Sequence, residues 1–89
     1  MPAGEAVSRL GDYDIAVFEA LKKWRREKSE QMGVPAFVIF ADKTLQELAL
    51  ALPRSPADLL LVRGIGPAKA ERFGIEALAV IAKAAVSHG

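Results

Sequence analysis

The residues best placed to do chemistry stand around one corner of the chain, Arg63-Gly64-Ile65-Gly66-Pro67, followed by Lys69 and Arg72. Two glycines around one apolar residue do not continue a helix comfortably, because each loosens the backbone and permits positive φ. Pro67 presets φ for the first turn of a new helix and lacks an N–H that would be unpaired there anyway. The expected product is helix, tight hairpin, helix, with Ile65 plugged into the core. Such a corner turns backbone N–H groups and a positive helix end outward, which suits a phosphate. Gly64 and Gly66 would let it approach, and Arg63, Lys69 and Arg72 would supply charge. The bland alternative is a plain turn between packed helices, with Glu71 and Glu76 neutralising the cations.

A second charged stretch, Lys22 to Lys28, sets five cations against Glu27. Lys22, Arg25 and Arg26 could each contact a phosphate and release counterions. Equally, the run could be a solvated helix face with Lys23–Glu27 and Arg26–Glu30 pairs. Lys28 is expected to snorkel along the apolar stripe, and the register of Trp24 with Val17 and Leu21 places it in the core. Lys43 should be exposed. Phe37 and Phe40 lie in a short apolar turn too small to bury every side, so one ring, with Phe37 the candidate, is expected at the surface as a platform for stacking bases.

Other chemistries lack their residues. The sequence has no Ser-His-Asp set, carboxylate cluster or Walker-type phosphate loop. The one histidine, His88, has no partners to hold a metal, and the absence of cysteine rules out a thiolate site and fits a reducing compartment. No catalytic residue, metal site or cofactor is therefore expected. The formal charge of the 89 residues is only +1, so local clusters must carry any attraction to a polyanion. No apolar run reaches the length of a membrane span, and the start lacks the apolar middle of a signal peptide. These features predict a cytoplasmic protein, monomeric and without a membrane partner.

The elements that must position these residues read as helices. Residues 1–11 carry Pro2, Gly4 and Gly11 with little periodicity, and are expected to be a flexible tail or the end of a linker, which makes the domain, residues 12–89, a piece of a larger polypeptide. Asp12 or Asp14 should cap a first helix that ends near Gln31 or Met32 at Gly33. Ala36 to Phe40 could be a strand or a buried helical turn; with no second strand candidate in the chain, a short helix is expected. Asp42 should cap a third helix with Leu45, Leu48, Ala49 and Leu52 inward and Pro53 at its end. Ser55-Pro56 should open a fourth helix to Val62. After the hairpin, a short helix from Pro67 to Phe73 should break or kink at Gly74. A last helix, from Ile75 to about Ser87, should turn Ile75, Leu78, Ile81, Ala82 and Ala85 inward.

Taken together, these motifs resemble the HRDC domain (helicase and RNase D C-terminal). Phe18 and Leu21 stand on a basic first helix, followed by Val34-Pro35-Ala36-Phe37-Val38-Ile39-Phe40, Asp42-Lys43-Thr44-Leu45, Pro53, Gly64-Ile65-Gly66 and Arg72-Phe73-Gly74. The match runs from about Tyr13 to Ile81, with Phe37 where many relatives carry Tyr. The resemblance implies an all-α fold, a compact five- to six-helix bundle with a helix-hairpin-helix-like element. It further implies an accessory, non-enzymatic module that assists binding of single-stranded or partly duplex DNA, or RNA, in a bacterial, nucleoid-associated helicase most like RecQ. The alternatives are a module that docks onto the motor domain of the same polypeptide or another partner, and the RNA-positioning part of an RNase D-type exoribonuclease.

Overall fold

The computed structural model describes residues 13–88, with side chains to residue 85. The expected tail, the alternative cap Asp12 and the side chain of His88 lie outside these. Five helices follow one another: α1 (Ile15–Met32), α2 (Ala36–Ile39), α3 (Asp42–Ala51), α4 (Pro56–Leu60) and α5 (Pro67–His88). There is no strand among the described residues. None of their helices is long and apolar enough to cross a membrane.

The helix limits follow from local chemistry. Asp14 caps α1 by accepting the Val17 N–H at 3.1 Å, and Gly33, at φ +67°, closes it in the left-handed conformation. Ser55 caps α4 by accepting the Asp58 N–H at 3.1 Å, with Pro56 opening the helix. Asp42 is not the cap of α3, as expected from sequence, but its first residue. Ala41 occupies the cap position without a side-chain bond, and the Asp42 carboxylate is drawn instead to Arg25. α3 stops at Ala51, because Leu52 precedes Pro53 and leaves the right-handed helical region. Leu52 turns left-handed at φ 49°, and its half-buried side chain still packs against the core, as expected. α4 ends at Leu60, two residues short of the expected Val62; Leu59 and Val62 turn inward while Leu60 and Leu61 face water.

The largest correction concerns Gly74, which neither breaks nor kinks the chain: α5 runs unbroken from Pro67. Helix-interior glycine costs roughly 0.5–1 kcal/mol against alanine, and here it gives room to a neighbour. A Cβ on Gly74 would lie 3.0 Å from Leu59 Cδ1, so the missing side chain lets α4 pack onto α5. One continuous helix also fixes the register. Phe73, Ala77 and Ile81, four residues apart, are buried, whereas Ile75 and Ala82, both expected inward, are exposed.

α1 packs against α2, α3 and α5, and α4 closes on α5. The core between them holds Val17, Leu21, Ile39, Phe40, Leu45, Leu48, Leu59, Ile65, Phe73 and Ile81. Trp24, Phe40 and Phe73 form a three-ring cluster with centroids 5.8–6.4 Å apart. Trp24 sits at the rim of that cluster, not wholly inside. Its indole N–H reaches out to Glu76 Oε1 at 3.0 Å.

Candidate nucleic-acid interface

The hairpin between α4 and α5 is built as its glycines imply. Ile65 is buried, while Arg63, Gly64 and Gly66 are exposed. Gly64 adopts φ +94°, a conformation that side chains avoid. It also presses on the first turn of α3, where a Cβ would come within 2.5 Å of Thr44 Oγ1. The corner is thereby seated beside Lys43, itself exposed. The Ala70 N–H closes the first turn of α5 onto the Gly66 carbonyl at 3.0 Å. The amides of Ala68 and Lys69 precede the first intrahelical donor and have no acceptor in the helix.

Among the described residues, no carboxylate forms an ion pair with any of the three cations of the corner. The ion pairs that close nearby are Arg25–Asp42 and Lys28–Glu76, each at 2.7 Å. Glu76 therefore does not neutralise the corner, and Glu71 is exposed without pairing to it. Lys69 Nζ lies 5.9 Å from the centre of the Phe40 ring and the Arg72 guanidinium 5.2 Å from that of Phe73. Such contacts are worth about 0.5–1 kcal/mol at exposed sites and leave the charges at the surface.

The α1 cations divide into two groups. Lys22, Lys23 and Arg26 are exposed, with Lys22 Nζ 5.4 Å above the Phe18 ring. The expected pairs Lys23–Glu27 and Arg26–Glu30 do not close as ion pairs. Arg25 differs from the rest. Its side chain is only 11% exposed and donates to the Phe40 carbonyl at 2.8 Å and to Asp42 at 2.7 Å. It ties α1 to the α2–α3 junction, leaving little of its guanidinium for a phosphate.

Lys28, expected to snorkel, is held by Glu76. The hydrogen bond from Lys28 foremost, then that from the Trp24 indole, hold the Glu76 carboxyl below its ordinary value of 4.5 against a small opposing effect of burial.

Of the two rings weighed from sequence, Phe40, the C-cap of α2, is fully buried beside Ile39, and Phe37 is 68% exposed. Of the candidate residues, Phe37 on α2, Lys43 on α3 and Arg63, Gly64, Gly66 and Arg72 around the hairpin are exposed, and Lys69 is partly so. Phe40 touches both helices, its carbonyl on Arg25 of α1 and its ring under Lys69 of α5.

The HRDC domain family model matches residues 14–81. The chain belongs to the HRDC domain family. Among solved structures, D. radiodurans RecQ HRDC domain 3 is similar, superposing with a TM-score of 0.73 at 39% identity and covering 75% of this chain and 88% of that one. Among curated relatives, the ATP-dependent DNA helicase RecQ of Haemophilus influenzae is 32% identical over 90 residues, 91% of this chain. The ATP-dependent DNA helicase UvrD2 of Mycobacterium tuberculosis is 37% identical over 70 residues, 79% of this chain. This HRDC domain spans only 14% of the first relative and 10% of the second.

The sequence alone missed the partners that hold the interface in shape. Arg25 and Asp42 are 17 residues apart and Trp24 and Glu76 are 52 apart, separations at which no local pattern signals a contact. Thr44 carried a signal only in retrospect, as a small polar residue able to sit beneath a glycine.

Proposed function

We propose that this HRDC domain is the accessory nucleic-acid-binding domain of a cytoplasmic, nucleoid-associated bacterial DNA helicase of the RecQ type. It binds single-stranded or partly duplex DNA weakly and without sequence preference, through backbone charge and one stacked base. The observation that carries this reading is the corner itself: Arg63, Lys69 and Arg72, unpaired with carboxylates, surround two exposed glycines and the open first turn of α5. The exposed ring of Phe37 supplies the stacking face. Relatives named as DNA helicases support the parent assignment.

An NMR titration of the domain with a short single-stranded oligonucleotide tests it. Amides around Lys69, Arg72 and Phe37 are expected to shift together and saturate. If they stay still, and the motor domain of the parent shifts them instead, the surface is a protein-docking one.

A further inference from the structure

At the far end of α3 from the hairpin corner lies a face that the nucleic-acid reading does not use. Gly64 sits on the first turn of α3, and the ten residues of that helix span about 15 Å. Past its last turn, Ala51, Leu52, Pro53, Asp58, Leu61 and Val62 surround an open pit of about 290 Å³. Leu61 stands on the rim, 85% exposed, more than any other large apolar side chain among the described residues. Leu60 next to it and Leu50 beside Ala51 are each about half exposed. The cause is local: α4 and its cap turn Leu59 and Val62 into the core, which leaves Leu60 and Leu61 to solvent. A single exposed leucine is ordinary. A leucine knob beside an apolar pit is a shape that can fit a copy of itself.

Two charges of opposite sign belong to the same face. Asp58 lines the pit, Arg54 directly follows Pro53, and both are exposed. The Asp58 carboxylate accepts the Arg54 backbone N–H at 3.2 Å, but neither side chain closes an ion pair among the described residues. In an isologous pair, residue i of one copy meets j of the other while j meets i. A face that carries a knob and a pit, and a cation and an anion, meets that condition by itself. We infer that two copies of this chain pair through this face about a two-fold axis. Leu61 of each copy enters the pit of the other, and Arg54 of each meets Asp58 of the other. The face is small beside the roughly 20–30 residues a side of a standard interface. The pair is therefore weak, with a dissociation constant on the order of 10⁻⁴–10⁻³ M, and the dilute chain is monomeric. The pairing is independent of the nucleic-acid reading above.

The test is analytical ultracentrifugation of the 89-residue chain, beside L61E, R54E and D58K, from about 10 μM to about 1 mM. The wild type is expected to shift from monomer toward dimer over that range, and L61E to stay monomeric throughout. R54E and D58K, each alone, set like charges against each other at both ends of the contact and should associate severalfold more weakly. Mixed in equal amounts, the two restore opposite charges at both ends, and association should recover toward the wild-type level. Only a two-fold pairing of this face gives that recovery. Thermal melts check the fold of each variant. Leu61 and Arg54 are exposed, so L61E and R54E should melt as the wild type does, and they carry the test if D58K, which loses the bond to the Arg54 N–H, proves unstable. A wild type still monomeric at the highest concentration, an L61E that associates as the wild type does, or a mixture of folded variants no stronger than either alone would overturn the pairing. A monomeric wild type whose binding to the motor domain of the parent is lost in L61E would also overturn it, and would assign the face to that partner.

Discussion

Gly64 of the hairpin meets Thr44 of α3 in a way that admits no side chain on the glycine. A Cβ there would lie 2.5 Å from Thr44 Oγ1, and the backbone already stands at φ +94°. G64A should therefore combine backbone strain with overpacking and cost about 2–4 kcal/mol. Thermal melting would show this as a fall in Tm of roughly 4–8 °C per kcal/mol for a domain of this size. Adding T44A should recover part of the loss, the share due to the clash, and leave the share due to φ.

Gly74 should behave differently, although a side chain there would also meet a neighbour. Alanine there gains roughly 0.5–1 kcal/mol of helix preference, opposed by a 3.0 Å approach to Leu59 Cδ1. Leu59 is buried and has little room to yield. G74A should change stability by less than about 1 kcal/mol, whereas G74V should be clearly destabilising. Paired melts of the two variants check the ordering.

Arg25 is the cation whose loss should damage the fold before the binding. R25A removes both donors to the α2–α3 junction and leaves the part-buried Phe40 carbonyl unpaired, at a cost of about 1–3 kcal/mol in denaturant unfolding. D42N should cost less, since the Asp42 side chain is 75% exposed and the Arg25–Phe40 bond survives.

The clamp on Glu76 gives stability a dependence on acid. Its carboxyl titrates lower in the folded chain than in the unfolded one. The stabilisation is therefore complete above the ordinary value of 4.5 and is lost as pH falls through the lower folded value. It should be modest, because the Glu76 side chain is 46% exposed and salt screens it. Melts of wild type and E76Q should differ at neutral pH and converge in acid, once the pH has fallen past the lowered Glu76 value. Trp24 fluorescence is a suitable probe, as its indole is one of the two donors.

Much of this was legible in the amino-acid order. Asp14, Gly33, Ser55-Pro56 and Gly64-Ile65-Gly66-Pro67 each carry short-range chemistry that fixes a cap or a turn, and each appears where expected. Gly74 misled because a glycine reads alike whether it breaks a helix or makes room for a neighbour; only the approach of Leu59 decides. The misplacement of Ile75 followed from that, since a break would have reset the register. Asp42 misled because a carboxylate before an apolar stripe signals a cap, while the claim of Arg25 on it comes from another helix. The cations of the corner were visible as residue types. Their freedom from carboxylates depended on Lys28 and Trp24 capturing Glu76 from across the bundle.

The most direct measurement is the affinity of the chain for a labelled single strand, by anisotropy from about 50 to about 200 mM salt, beside K69A/R72A. The account predicts dissociation constants of roughly 10⁻⁴–10⁻⁶ M that weaken steeply with salt. It also predicts, for the variant, weaker binding with a salt slope shallower by about 1–2. Saturable binding indifferent to salt, or a variant that binds as the wild type does, would contradict it.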